Sequence, residues 1–501
     1  MTQITAEVPE ASGASPGRVA AALAQGKLGT VQVAFFMTAA LGPLLVSAGT
    51  FPSAFAATGL SAVPSAVLII AGVLALFAFG YLAMARHVVN SGAFYAMVGS
   101  GLGRPAGVAA ALLALVGYCA MQVSLYGIIG VQVAGYIDDN THGSWHIDPS
   151  WWSCALAVWA LVAVLGMMPV KVSATFLGAL SLVEIVVMVW LSVRGLMHPA
   201  AGVHAGPFNP ARISWRGLGP LSAIVVLCFL GFEQAPVYME EARDRRRTLL
   251  RATVLCLGGA TVIYALASWA MDTFYGSNVV SAAQSQGSGM FFAMGPGLAS
   301  ACGNTLFLTS LLAAALAYHN TVARYNFSIA RNRLLPAAVA RVRASGVPRV
   351  ASALQSAIGL AAICATLLFR WNPMTQLFYI SSTFGGFTIM ALLAATGFAV
   401  VAFFWRNAHG EGAAVRLWLP AVSALVLTGL VVACAMNLPT MLGVSPSDPT
   451  IALLFGLLAV TVLVGVGWSL YLKGSHPDWY ERLAGPEARA ARTVALDGAA
   501  L

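Results

Sequence analysis

Two carboxyl groups stand where charge is costly. Glu233 lies in the run Phe229-Leu-Gly-Phe-Glu-Gln-Ala-Pro236, and Glu184 lies in Ser181-Leu-Val-Glu-Ile-Val-Val187, each within a long apolar segment. An acid in such surroundings faces a partner or a cavity and marks a functional site by default. The chemistry open to Glu233 is pairing with an amine, carrying a proton, or bracing an unwound turn. Glu184 suits a group that takes up and releases protons, or a carboxylic acid that stays protonated and hydrogen-bonded between helices.

The elements that must hold these acids are helices with breaks in them. Gly231 adds backbone freedom and Pro236 removes a donor, so the helix is weakened on both sides of Glu233. A second weak point, Leu41-Gly-Pro-Leu44, sits near the middle of the first apolar segment. Unwound backbone exposes N–H groups at one half-helix end and carbonyls at the other. A carboxylate suits the first and an ammonium or cation the second, and an amino acid offers both. The expected binding residues are therefore Ala40, Leu41, Gly42, Pro43 and Leu44 with Gly231, Phe232, Glu233 and Gln234, Phe232 serving as an aromatic lid over an aliphatic part. Tyr118 and Gln122, four apart in the third segment, share a helix face and either line the cavity or pack between helices. Ser381, Ser382 and Thr383 open the tenth segment; Ser382 is placed at a gate or at an ordinary helix contact.

Composition sets the class. The chain has 501 residues, 59% hydrophobic and only 9% charged, where a soluble domain carries roughly a quarter charged. Windows of about 19 residues find twelve apolar spans, at 30–50, 62–84, 105–136, 151–169, 172–193, 218–241, 249–271, 296–319, 348–368, 376–404, 416–436 and 449–472. The fold expected is all-α and integral to the membrane. With both termini placed in the cytoplasm, all of the 26 Lys and Arg except Arg194, Arg212, Arg216 and Arg370 fall on the cytoplasmic side. That asymmetry fixes the orientation and accounts for the net charge of +9 without a nucleic-acid partner. Trp151, Trp152, Trp371, Trp405 and Trp418 near span ends fit interfacial belts.

The two breaks fall in the first and sixth spans. Each is the first helix of a block of five, and paired interruptions at corresponding positions point to the binding site of a transporter. A block of odd number inverts its second copy. The organisation expected is a cytoplasmic N-tail at 1–26, five-helix repeats at 27–193 and 218–404 joined by an external linker at 194–217, two extra helices within 405–472, and a C-terminal tail or surface helix at 473–501.

Phe229-Leu-Gly-Phe-Glu233 followed by Glu240-Glu-Ala-Arg-Asp-Arg-Arg-Arg-Thr248 resembles the sixth-helix signature of the amino acid–polyamine–organocation superfamily. Asn90-Ser-Gly-Ala-Phe-Tyr95, Pro169-Val-Lys-Val-Ser173 with Glu184, and Arg324-Tyr-Asn-Phe-Ser-Ile-Ala-Arg-Asn-Arg-Leu-Leu-Pro336 resemble its further motifs. The resemblance covers most of residues 27–410. It implies a LeuT-like fold, alternating access, and a secondary active transporter for an amino acid or related amine in the plasma membrane. Exchange in place of symport, and a membrane sensor that keeps the fold, are the alternatives. An acid at position 233 is common in members with varied substrates, and position 184 falls where some members keep a titratable group or a cation. A sodium site in such a fold draws hydroxyls from the eighth helix. Here Ser310 is followed by Leu-Leu-Ala-Ala-Ala, which favours protons over sodium, with Glu184, Glu233 and Ser310 as the coupling residues. The first break, Ala39-Ala-Leu-Gly-Pro-Leu44, departs from the glycine-rich form of many amino acid permeases and is closer to the Pro-containing form of polyamine-importer-like members. The usual prolines after the sixth helix are missing near Arg246 and Leu250.

Other patterns carry less. Asp138, Asp139, His142, His146 and Asp148 crowd one loop, but Gly143 and Pro149 break it, so a solvated acidic loop is expected in place of a metal site. Gly99-Ser-Gly-Leu-Gly103 has no strand before it and is not a dinucleotide fingerprint. Seven cysteines without a CxxC read as reduced core residues. No cofactor, resident metal or enzymatic activity is expected.

Overall fold

The computed structural model describes residues 26–88, 90, 92–141, 149–342 and 346–483. Most of the expected N-tail, the end of the C-tail, Ser91, and His142, His146 and Asp148 of the acidic loop lie outside the described residues. Among the described residues seventeen α-helices follow one another: α1 Thr30–Leu41, α2 Phe51–Thr58, α3 Val63–Ala85, α4 Phe94–Leu102, α5 Arg104–Thr141, α6 Trp151–Gly166, α7 Val170–Met197, α8 Trp215–Leu227, α9 Arg245–Tyr275, α10 Val279–Gln286, α11 Gly289–Phe292, α12 Gly297–Arg331, α13 Arg349–Leu368, α14 Ser381–Arg406, α15 Leu419–Leu442, α16 Pro449–Ser475 and α17 Pro477–Arg482. Among the described residues the only β pairing is an isolated bridge between Leu28 and Ala242.

Eleven described stretches are long and apolar enough to cross a membrane, and the apolar 16-residue α6 stands beside them. Twelve spans were expected; α6 is the one that falls short in length. The spans differ sharply in how deeply they sit. The most apolar window of Thr305–Arg331 is 78% buried, while that of α16 is 17% buried. The broken and polar helices therefore form the centre, and α15 and α16 lie at the rim. Large apolar side chains such as Leu182, Val186, Leu453 and Leu463 face outward. On a soluble protein such a surface would be a liability; here it fits lipid.

Two boundaries differ from the hydropathy reading. The eighth span was expected to end at 319, but α12 continues to Arg331. The window stops at Asn320 because the residues turn polar. The helix goes on because those polar side chains find partners inside the protein. The last span likewise continues as helix to Ser475, and α17 follows, so residues 473–482 are helical. Four cysteines are buried as expected and Cys119 partly so, but Cys302 and Cys364 are exposed on the protein surface.

Candidate functional site

The first break starts where α1 ends at Leu41. Gly42 adopts a left-handed conformation (φ 59°, ψ 67°), and its N–H donates back to Thr38 O and Ala39 O. Pro43 has no N–H to offer. The chain then runs through a π-helical turn, Leu45–Thr50, into α2. The sixth break follows α8. Gly231 sits at φ 129°, open only to a residue without a side chain, and a 3-10 segment spans Phe232–Tyr238 with Pro236 inside it. The two breaks touch. A Cβ on Gly231 would lie 3.1 Å from Leu41 N and 3.2 Å from Ala40 Cβ, so glycine sets the distance between the unwound strands.

Glu233 is buried and fully engaged. One carboxyl oxygen accepts from the Tyr118 hydroxyl at 2.8 Å and the other from the Gly231 N–H at 2.7 Å. Its carbonyl accepts from the Tyr81 hydroxyl at 2.8 Å. The acid thus caps the free donor of its own break, as a side chain caps a helix start. Gln234 is buried beside it; its carbonyl oxygen accepts from the Thr321 hydroxyl at 2.7 Å, while its amide nitrogen has no partner. Phe232 packs edge-to-face on Phe77, with ring centroids 6.1 Å apart.

Glu184 serves the other break. One oxygen accepts from the Ser310 hydroxyl at 2.8 Å, and the backbone amide of Leu44 interacts with the same carboxyl group. The other oxygen of Glu184 has no partner, and neither do the buried hydroxyls of Ser181, Ser47 and Tyr264. Buried polar atoms of this kind are few in proteins and call for an explanation.

The residues expected from sequence thus divide. Ala40 and Leu41 meet Gly231 at the crossing, Gly42, Pro43 and Leu44 continue the first break and Phe232, Glu233 and Gln234 the sixth, and Tyr118 joins Glu233. Ser310 joins Glu184. Two expected residues lie elsewhere. Gln122 donates to Tyr126 at 2.9 Å, lies 3.2 Å from His319 Nδ1, and accepts from Gln355. It belongs to a separate polar cluster between α5, α12 and α13, because four residues along a helix also move the side chain one turn away. Ser382 is half-buried and donates to Tyr379 O in its own turn.

Sequence reading missed Tyr81, Thr321 and a seal at the end of the molecule that carries the basic segments. Arg324 was counted among loop charges; instead it is a buried residue of α12. Its guanidinium holds Glu241 through two nitrogens, at 2.5 and 3.2 Å, and lies over the rings of Phe36 and Tyr238, 5.7 and 4.9 Å from their centroids. Leu28 N donates to Glu241 O, and Arg243 N donates to Leu28 O, both at 2.9 Å. Arg331 grips Glu240 in the same two-pronged way. The entry of the first broken helix is thereby tied to the exit of the sixth. The signal in the sequence was the acid pair Glu240-Glu241 set against arginines spaced by seven, Arg324 and Arg331, which is two helix turns.

An amino acid permease family model matches residues 28–464. The chain belongs to the amino acid permease family. The permease is accordingly a multi-pass membrane protein of a transporter family, and its interrupted first and sixth helices both lie within the matched region.

Proposed function

We propose that this permease is a secondary active transporter that moves an amino acid or related amine across the plasma membrane by alternating access, coupled to protons. Two five-helix units, 27–193 and 218–404, would rock about the crossing of the two breaks, with both termini in the cytoplasm. The observation that carries the reading is that two buried acids each attend a different broken helix, Glu233 from within the sixth and Glu184, on α7, from beside the first. Glu233 holds the sixth and Glu184 the first. The roles follow from their surroundings. Glu233 lies against the crossing with aromatic neighbours and is placed to meet cargo. Glu184 keeps one oxygen unpaired beside Ser181 and reaches the first break through Leu44, so a proton gained or lost there changes how that break is held. The seal at Arg324 and Glu241 closes the end that carries the basic segments, which this reading takes as cytoplasmic. Opening it parts Leu28 from Glu241 and Arg243, which gives alternating access its moving contact.

Uptake into proteoliposomes with and without an inward proton gradient tests the coupling. Wild-type uptake is expected to rise with the gradient. Glu184→Gln is expected to retain exchange of cargo and lose the response to the gradient. A gradient response unchanged in Glu184→Gln would remove that residue from the mechanism.

A further inference from the structure

We propose that the Glu233 site reads its cargo through an ammonium group and has no place for a free carboxylate. The favoured cargo is then an amine derived from an amino acid, with the carboxyl group lost or masked. The proposal rests on the reading of this site as the cargo site and narrows it.

The first argument concerns the donors. Broken helices hold a cargo carboxylate through unsatisfied backbone N–H groups. In this permease several of those donors are turned inward. At the sixth break the Gly231 N–H donates to Glu233. At the first break the Gly42 N–H turns back onto Thr38 and Ala39, Pro43 has none, and the Leu44 amide is directed to Glu184. The protein's own acids occupy the positions an incoming carboxylate would need. The amino acid expectation, with one end of a zwitterion on each exposed half-helix end, loses its anionic half.

The second argument is the sign of the site. Both oxygens of Glu233 accept hydrogen bonds, the pattern of a carboxylate acting as acceptor. No Lys, Arg or His side chain pairs with it among the described residues; Arg324, the buried cation of this region, is committed to Glu241. A second carboxylate beside Glu233 would meet like charge at low dielectric, whereas an ammonium would meet opposite charge.

The third argument is the aromatic lining. The Tyr118 ring that bonds Glu233 is packed among Phe94, Tyr318 and Tyr325, with centroids 6.5, 6.3 and 6.2 Å away. Ring faces attract ammonium groups and offer nothing to carboxylates. The side-chain donors left open near the breaks, the Gln234 amide nitrogen beside Glu233 and the hydroxyls of Ser47 and Tyr264, are neutral. The Gln234 amide answers a hydroxyl or carbonyl on the cargo without balancing a negative charge.

The test uses the full chain in proteoliposomes and, as probes, the twenty proteinogenic amino acids, their decarboxylated amines and their carboxamides. Competition for uptake and ligand-induced thermal stabilisation are read for each matched set. The best amine or carboxamide is expected to compete at least tenfold more strongly than its parent acid, and Glu233→Gln to weaken it at least tenfold. A parent acid that outcompetes its amine and carboxamide overturns the proposal; if Glu233→Gln still abolishes its uptake, the transporter reading of the site survives. Uptake unaffected by Glu233→Gln overturns both, and so does a wild-type protein that responds to no probe. The carboxamide comparison is made on the wild type, so it stands even if the variant fails to fold.

Discussion

The two broken helices solve one problem in different ways. The sixth is capped from within: Glu233 reaches back two residues to the Gly231 N–H, and Tyr118 closes its other oxygen. The first is capped from outside, by Glu184 on α7, with Ser310 of α12 as the third party and one carboxyl oxygen left open. A self-capped break is rigid and travels as one piece with its acid. A break capped by another helix changes whenever that helix moves or its acid changes protonation. Under the proposed function, cargo recognition belongs to the sixth break and coupling to the first.

The largest expected effect strikes both breaks at once. Arg324→Ala leaves Glu241 buried without its partner, and removing one member of a buried pair costs about 3–5 kcal/mol. Because Glu241 also holds Leu28, the melting temperature of the purified permease should fall steeply and the end that carries the basic segments should become accessible to water-soluble thiol reagents at an introduced cysteine. A small change would mean that the breaks are held by their acids alone.

Next come the glycines, which compare the breaks directly. Gly231→Ala combines φ 129° with backbone atoms at 3.1 and 3.2 Å, and a strained backbone position of that kind costs on the order of 1–3 kcal/mol. Gly42→Ala, at φ 59° and facing the movable side chain of Leu45, should cost about 1–2 kcal/mol, the usual left-handed penalty. Thermal melts of the two variants check the order, and equal losses would remove the distinction between a rigid and an adaptable break.

Smaller still are the hydroxyl partners. Tyr118→Phe removes a bond to a carboxyl group that has no spare donor and should cost about 1.5–3 kcal/mol. Ser310→Ala removes a bond to an acid already partly unpaired and should cost about 0.5–1.5 kcal/mol. Ser310→Ala should shift the pH dependence of uptake, and Tyr118→Phe the affinity for cargo. The reverse assignment in uptake assays would exchange the roles given to the two breaks.

The spans and both breaks were legible in the sequence, because apolar length, Gly-Pro content and misplaced acids all act through local chemistry, whereas the bond between Glu184 and Ser310 needed the fold to bring two distant helices together. Gln122 takes the second of its two readings, hydrogen bonding between helices, because a shared helix face does not say which neighbour a side chain meets one turn further on. Arg324 was read as a loop charge because hydropathy cannot distinguish a polar residue in water from one paired inside the protein. Tyr81 and Thr321 gave no signal, since a tyrosine in an aromatic run and a threonine in a helix are ordinary until the partner is placed beside them.

The central claim is that cargo meets the permease at the carboxyl group of Glu233. Equilibrium binding of the best-transported cargo to wild type and to Glu233→Gln, both shown to be folded by their melts, tests it most directly. Binding at least tenfold weaker in the variant is the predicted result; equal affinity would contradict it and move the cargo away from the sixth break.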